Sequence, residues 1–298
     1  MRPERALLSG MVDYAGLFPP AQLALEKAVH EYAVHLGEAE AWVLGRFIIP
    51  AQRLEELEPY LVLFSETFRG VALGKGGRSE DEYLKNLNRD LNAIETFRTT
   101  HGAAVSVESF EARLPPLPVA DAFVASVAGR LREAGLAQSH EFVVDDHLES
   151  TMAALAAAGA GAKLRCGGVT ADTFPAPEQV ARFIVAARDA GVPAKFTAGL
   201  HHPVRHFSDD VQTEMHGFLN LYVGGMLAHT AGFGWQELAG IIADQSPDAF
   251  ALTGVGVEWR GRLVRSEDAA RLRENALLGQ GSCSFVEPVA DLRDMGWL

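Results

Sequence analysis

Apolar runs of strand length alternate with amphipathic runs of helical length from one end of the chain to the other. MVDYAGLF (11–18) leads through a Pro-Pro turn into LALEKAVHEYAVHL, and AWVLGRFIIP (41–50) leads into AQRLEELEPYLVLF. RGVALGKG (69–76) precedes SEDEYLKNLNRDLNAIETFRTT, where Ser79 and the acids after it suit a helix start. AAVSVES (103–109), HEFVVDD (140–146), GAKLRCGG (161–168), AKFTAGL (194–200) and AFALTGVGVEWRG (249–261) are each followed by a further helical run. The pattern predicts eight strand–helix pairs in sequence.

Strict βα alternation implies parallel strands joined by right-handed crossovers. Eight pairs within 298 residues predict an α/β fold, a single (β/α)8 TIM barrel domain over residues 1–298, with the tail 279–298 packing on it. The competing open, doubly wound sheet would carry a glycine fingerprint after an early strand, and the sequence has none there. Between AKFTAGL and the run at 249 the chain needs an extra helix, for which WQELAGIIADQ is suited. MHGFLNLYVGGMLAHTAG has helical spacing and glycines, which read as close helix packing or a subunit contact, so a homo-oligomer is an expectation.

Composition narrows the setting. With 48% hydrophobic and 22% charged residues the chain can bury a substantial core. A formal charge of −13 with no Lys/Arg cluster excludes a nucleic-acid surface as the main partner. No apolar run reaches membrane-spanning length and MRPERALLSG lacks a signal-peptide core, so no membrane partner and a cytoplasmic location are expected. Two cysteines, Cys166 and Cys283, form neither a disulfide framework nor a metal knuckle.

A barrel gathers its chemistry at the C-terminal ends of its strands. Polar residues at the predicted ends include Asp13, Arg46, Lys75, Glu108 and Asp145, and then Lys163, Arg165, Lys195, Thr197, His201, His202 and Arg205. Side chains alternate along a strand, so Lys163 shares a face with Arg165, Lys195 with Thr197, Ser106 with Glu108, and Val143 with Asp145. A local twist would exchange Asp145 for Asp146. Two lysines on adjacent strands are expected to repel, which together with burial would lower the pKa of one and free it as a nucleophile. Glu108 or Asp145 would then carry protons, while Arg46, Arg165 and Arg205 would hold an anionic group. Gly167 and Gly168, after the first lysine strand, would let substrate approach the backbone.

With Lys163 on the sixth strand and Lys195 on the seventh, the stretch 160–200 resembles class I aldolases of the deoxyribose-phosphate aldolase type. Those are (β/α)8 barrels in which a sixth-strand lysine forms a Schiff base and a seventh-strand lysine perturbs it. The resemblance implies a Schiff base at Lys163 and an assisting Lys195. Its motifs differ here, with KLRCGG and KFTAGLHH in place of Lys-Thr-Ser/Thr-Gly and Lys-x-x-Gly-Gly runs. AGLFPPA, KFTAGLHHPVR, MHGFLN and GSCSF together also resemble a bacterial protein group that carries no assigned activity.

The expectation is therefore a lyase acting on a small anionic carbonyl compound, with no cofactor required. Metal-assisted hydrolysis or enolisation is the alternative, with a divalent ion held by Asp145, Glu108 and His201 or His202. A barrel that binds a ligand without catalysis is a third.

Overall fold

A computed structural model describes the whole chain, Met1–Leu298. Seven parallel strands come first: β1 (Val12–Tyr14), β2 (Leu44–Pro50), β3 (Phe68–Leu73), β4 (Val105–Arg113), β5 (Ala137–Glu141), β6 (Gly161–Arg165) and β7 (Ala194–Thr197). A hairpin of β8 (His206–Ser208) and β9 (Thr213–Met215) follows. Next comes an antiparallel sheet of β10 (Phe250–Leu252), β11 (Gly256–Trp259) and β12 (Arg262–Arg265). The eighth barrel strand is β13 (Leu277–Ser282), which pairs in parallel with both β7 and β1 and closes the (β/α)8 TIM barrel.

Two expected strands move. AFALTGVGVEWRG supplies β10 and β11 of the antiparallel sheet, not a barrel stave. Its alternation of apolar and polar residues is that of a half-exposed antiparallel ribbon, whereas a barrel strand is covered on both faces. LLGQGS, which closes the barrel, has no β-branched residue and continues a helical run, so its strand character comes from the register it must complete. Residues 279–282 of the expected tail thus belong to a stave, and the helix Val286–Asp294 packs Pro288, Val289 and Leu292 inward. The fifth strand is the polar AQSHE, not HEFVVDD, because its interior face carries Ser139 and Glu141.

The core is continuous between barrel and helices, with 78 buried residues in one cluster. The helix Phe218–Ala231 is apolar on every side and sheathed from Phe218 to Ala228. A Cβ at Gly224 would lie 2.8 Å from Leu238, and one at Gly225 would lie 3.1 Å from Leu277. These glycines set close helix packing. No helix is long and apolar enough to cross a membrane.

Candidate active site

Strands β4 to β7 lie side by side in a register that sets Arg113 opposite Glu141, Glu141 opposite Lys163 and Lys163 opposite Lys195. Four ionisable side chains thus form one row across four staves, at the strand spacing of about 4.8 Å. Glu111 stands two residues before Arg113 on the same face of β4. Its carboxylate reaches both amines, with Oε2 2.9 Å from Lys163 Nζ and Oε1 2.5 Å from Lys195 Nζ. Lys163 Nζ is also 3.3 Å from Glu141 Oε2, and Lys195 Nζ donates to Asp13 Oδ2 on β1. Asp13 is in turn fixed by the Arg46 backbone N–H, 2.7 Å from Oδ1. Gly45 is required here, because a Cβ on it would fall 2.4 Å from that same oxygen.

The result is a chain of alternating charge, Asp13–Lys195–Glu111–Lys163–Glu141, across the barrel interior. Charges at such depth persist only when paired. Burial alone would raise the Glu111 carboxyl, but Lys163 and Lys195 outweigh it and hold it at about 2. Burial would likewise lower Lys195, yet Asp13 and Glu111 more than compensate and raise it above the ordinary lysine value. The expected mutual repulsion of the amines is therefore screened. They do converge, but Glu111 lies between them and keeps Lys195 charged.

Above this floor opens a cavity of about 230 Å³. Lys163, Glu111 and Glu141 form its base, and Lys75, Arg113 and Arg165 stand around its mouth. Lys195 does not line it, being capped on both sides by carboxylates, so Lys163 is the amine that faces the space. The formal charges are −1 for the five-membered chain and +3 for the rim, which leaves +2 around the cavity. Gly281 lines the cavity beside Thr197 and Ile48, and a Cβ there would meet Thr197 Oγ1 at 2.8 Å and Ile48 Cδ1 at 3.1 Å.

The structure sorts the expected residues. Lys163, Arg165, Thr197 and His201 line the cavity, and Lys195 supports it from below. Glu108 does not take part. The β3–β4 register steps from Gly70–Val107 to Val71–Ser109, so Glu108 is the extra residue of a bulge and is exposed, accepting from Ser106 Oγ at 2.6 Å. Asp145 lies beyond the true end of β5, exposed, where it accepts the backbone N–H of His147 at 2.8 Å. Glu111 and Glu141 occupy the places that Glu108 and Asp145 were expected to fill.

Other corrections follow from packing. Gly167 and Gly168 make room for protein, because Cβ atoms on them would lie 2.5 Å from Phe174 and from Thr173 Oγ1 respectively. His202 pairs with Asp291 at 2.6 Å, and Arg205 holds His216 Nδ1 at 3.0 Å, both in a separate cleft. Arg46 contributes its backbone to Asp13, and its side chain is not part of the cavity wall. Glu108, Asp145, His201 and His202, the ligand set of the metal alternative, are not brought together, and no group of three or more His, Cys, Asp or Glu is arranged to hold a metal ion.

No protein-family model matches the chain, and no curated protein matches it. Among solved structures it is similar to deoxyribose phosphate aldolase from Aeropyrum pernix, a tetramer, at 14% sequence identity and a TM-score of 0.46, covering 66% of this chain and 80% of that one. It is also similar to the BexX/CysO complex of Amycolatopsis orientalis, at 16% identity and a TM-score of 0.40, covering 67% of this chain and 78% of that one. Neither likeness bears on the chemistry.

Proposed function

We propose that the barrel is a Schiff-base lyase of the aldolase type, acting on a small carbonyl compound that carries an anionic group. One observation supports this above the others: a buried primary amine, Lys163 Nζ, stands at the floor of a cavity between two carboxylates, 2.9 Å from Glu111 and 3.3 Å from Glu141.

The chemistry follows from those contacts. Lys163 passes a proton to Glu141, and the free amine adds to the substrate carbonyl carbon. The carbinolamine then loses its hydroxyl as water, taking that proton back from Glu141. The iminium carries the same single positive charge as the ammonium it replaces, so the surrounding carboxylates stabilise both. As an electron sink it accepts the pair of the bond between the α and β carbons: the β-hydroxyl gives its proton to Glu141 and that fragment leaves as an aldehyde. The remaining enamine takes the proton at carbon, and water then hydrolyses the iminium to free Lys163. Lys195 remains charged throughout and keeps Glu111 ionised. Arg113 and Arg165 offer paired N–H donors to a substrate carboxylate or phosphate at the mouth.

Borohydride trapping tests this. The chain has five lysines, Lys27, Lys75, Lys85, Lys163 and Lys195, so peptide mapping assigns an adduct without ambiguity. Incubation with glyoxylate and borohydride should give one adduct, on Lys163, that is absent from Lys163→Met. Labelling spread evenly over Lys27, Lys75 and Lys85 would refute the assignment. A non-catalytic binding barrel would give no adduct on Lys163 at all.

A further inference from the structure

The cavity has a second group on its wall that the Schiff-base chemistry does not use. Cys283 follows β13 directly and lines the cavity together with His201. Its Sγ is 3.9 Å from His201 Nε2, and the other ring nitrogen, Nδ1, is 3.1 Å from Glu287 Oε2. Sulfur, imidazole and carboxylate thus stand in line, from β13, from the loop after β7 and from the first turn of the helix Val286–Asp294. The geometry is that of a nucleophile whose base is oriented by a third residue.

We propose that Cys283 is a nucleophile of this cavity, with His201 as its base and Glu287 as the positioning residue, and that it adds reversibly to small anionic aldehydes. In that step the proton shared by Cys283 and His201 sits on Nε2 as an imidazolium, and the sulfur, relieved of it, forms a bond to the carbonyl carbon. The carbonyl π pair moves to oxygen, which takes the proton from the imidazolium to give a hemithioacetal. No atom or electron is lost, and reversal releases the aldehyde.

Three features support the assignment. Burial would weaken His201 as a base, but Cys283 and Glu287 outweigh it and raise the imidazole to about 9. The Glu287 carboxyl is lowered chiefly by its hydrogen bond to that ring, so the pair holds a charged imidazole in place. Lys75, Arg113 and Arg165, around the same mouth, give an anionic reagent an approach to the sulfur. The chain also carries its own control, since Cys166 is fully buried and burial pushes its thiol far above the usual range.

The test is alkylation by iodoacetate at neutral pH with peptide mapping, run on the Lys163→Met chain so that no Schiff base interferes. Cys283 should react about tenfold or more faster than Cys166. His201→Asn should slow it about tenfold, and Glu287→Gln about threefold, with unchanged circular dichroism. Glyoxylate should protect Cys283 reversibly. Equal rates in Lys163→Met with and without His201→Asn would overturn the assignment of the base. Absence of protection by glyoxylate would overturn the addition step, whether or not Lys163 traps glyoxylate in the parent chain.

Discussion

Glu111→Gln is the sharpest perturbation of the proposed site, because it removes one charge and almost no volume. Glu111 is fully buried and joins two amines that are 4% and 3% exposed. Without its charge, Lys195 keeps Asp13 and Lys163 keeps Glu141, but two ammonium groups face each other across an amide. The carboxyl is held from its ordinary 4.5 down to about 2. At about 1.4 kcal/mol per pH unit, that interval corresponds to about 3 kcal/mol, and breaking a buried pair costs about 3–5 kcal/mol. The folded value is the lower one, so this stability is fully present above pH 4.5 and is lost as pH falls through about 2. Urea unfolding followed by circular dichroism at neutral pH should show Glu111→Gln less stable by about 3 kcal/mol, with the gap narrowing toward pH 3. Glu108→Gln, on the exposed bulge of the same strand, should stay within about 0.5 kcal/mol of the parent. Equal stabilities for the two variants, or a gap that does not narrow in acid, would refute the buried network.

Other expectations are more local. Arg113→Gln and Arg165→Gln should each raise the glyoxylate concentration for half-maximal trapping about tenfold, with lysine restoring only part of the loss. Gly281→Ala places a methyl 2.8 Å from Thr197 Oγ1 and should reduce trapping while costing about 1–3 kcal/mol in unfolding experiments; unchanged trapping would show that the space beside Thr197 is not used. Burial lowers His140 and His216 from 6.5 to about 4 each. The unfolded chain then takes up protons that the folded chain refuses, so stability falls as pH drops from 6.5 toward 4, by about 3 kcal/mol for each ring. Replacing His140 with Gln should flatten that part of a pH–stability curve.

Much of the architecture was legible because burial on both faces writes continuous apolar strands, as in β2 and β3, between amphipathic helices. The lysine pair was legible for the same reason, since an amine inside such a strand has nowhere to go but the barrel interior. The carboxylate partners were not. Glu108 and Glu111 lie on the same strand, and only the bulge at Glu108, invisible in the hydrophobic pattern, decides which of them points inward. Glu141 was displaced by the apolar FVVDD that follows it, although AQSHE is the stave. A barrel strand whose inner face is functional loses the apolar signature by which strands are found. Rarity was the unused signal: of five lysines in the chain, two stand in register on adjacent strands.

That rarity separates stability from chemistry, and the separation can be measured. A buried ionic chain is a weak stabiliser compared with apolar packing of the same volume, so structure alone gives little reason for Asp13 and Lys195. Lys195→Met alone strands the Asp13 carboxylate and should cost about 3–5 kcal/mol, whereas Asp13→Asn leaves Lys195 paired with Glu111 only and should cost less. The double variant removes one charge of each sign and leaves Lys163 between Glu111 and Glu141. It should recover to within about 1–2 kcal/mol of the parent, with a large coupling energy in the double-mutant cycle. Trapping at Lys163 should nevertheless fall about tenfold or more, and its pH profile should shift, because Glu111 then answers to one amine where it had answered to two. If the two losses of stability simply add, the residues are not a pair. If stability recovers and trapping at Lys163 recovers with it, Lys195 has no part in the reaction, and Lys163, Glu111 and Glu141 must carry it alone.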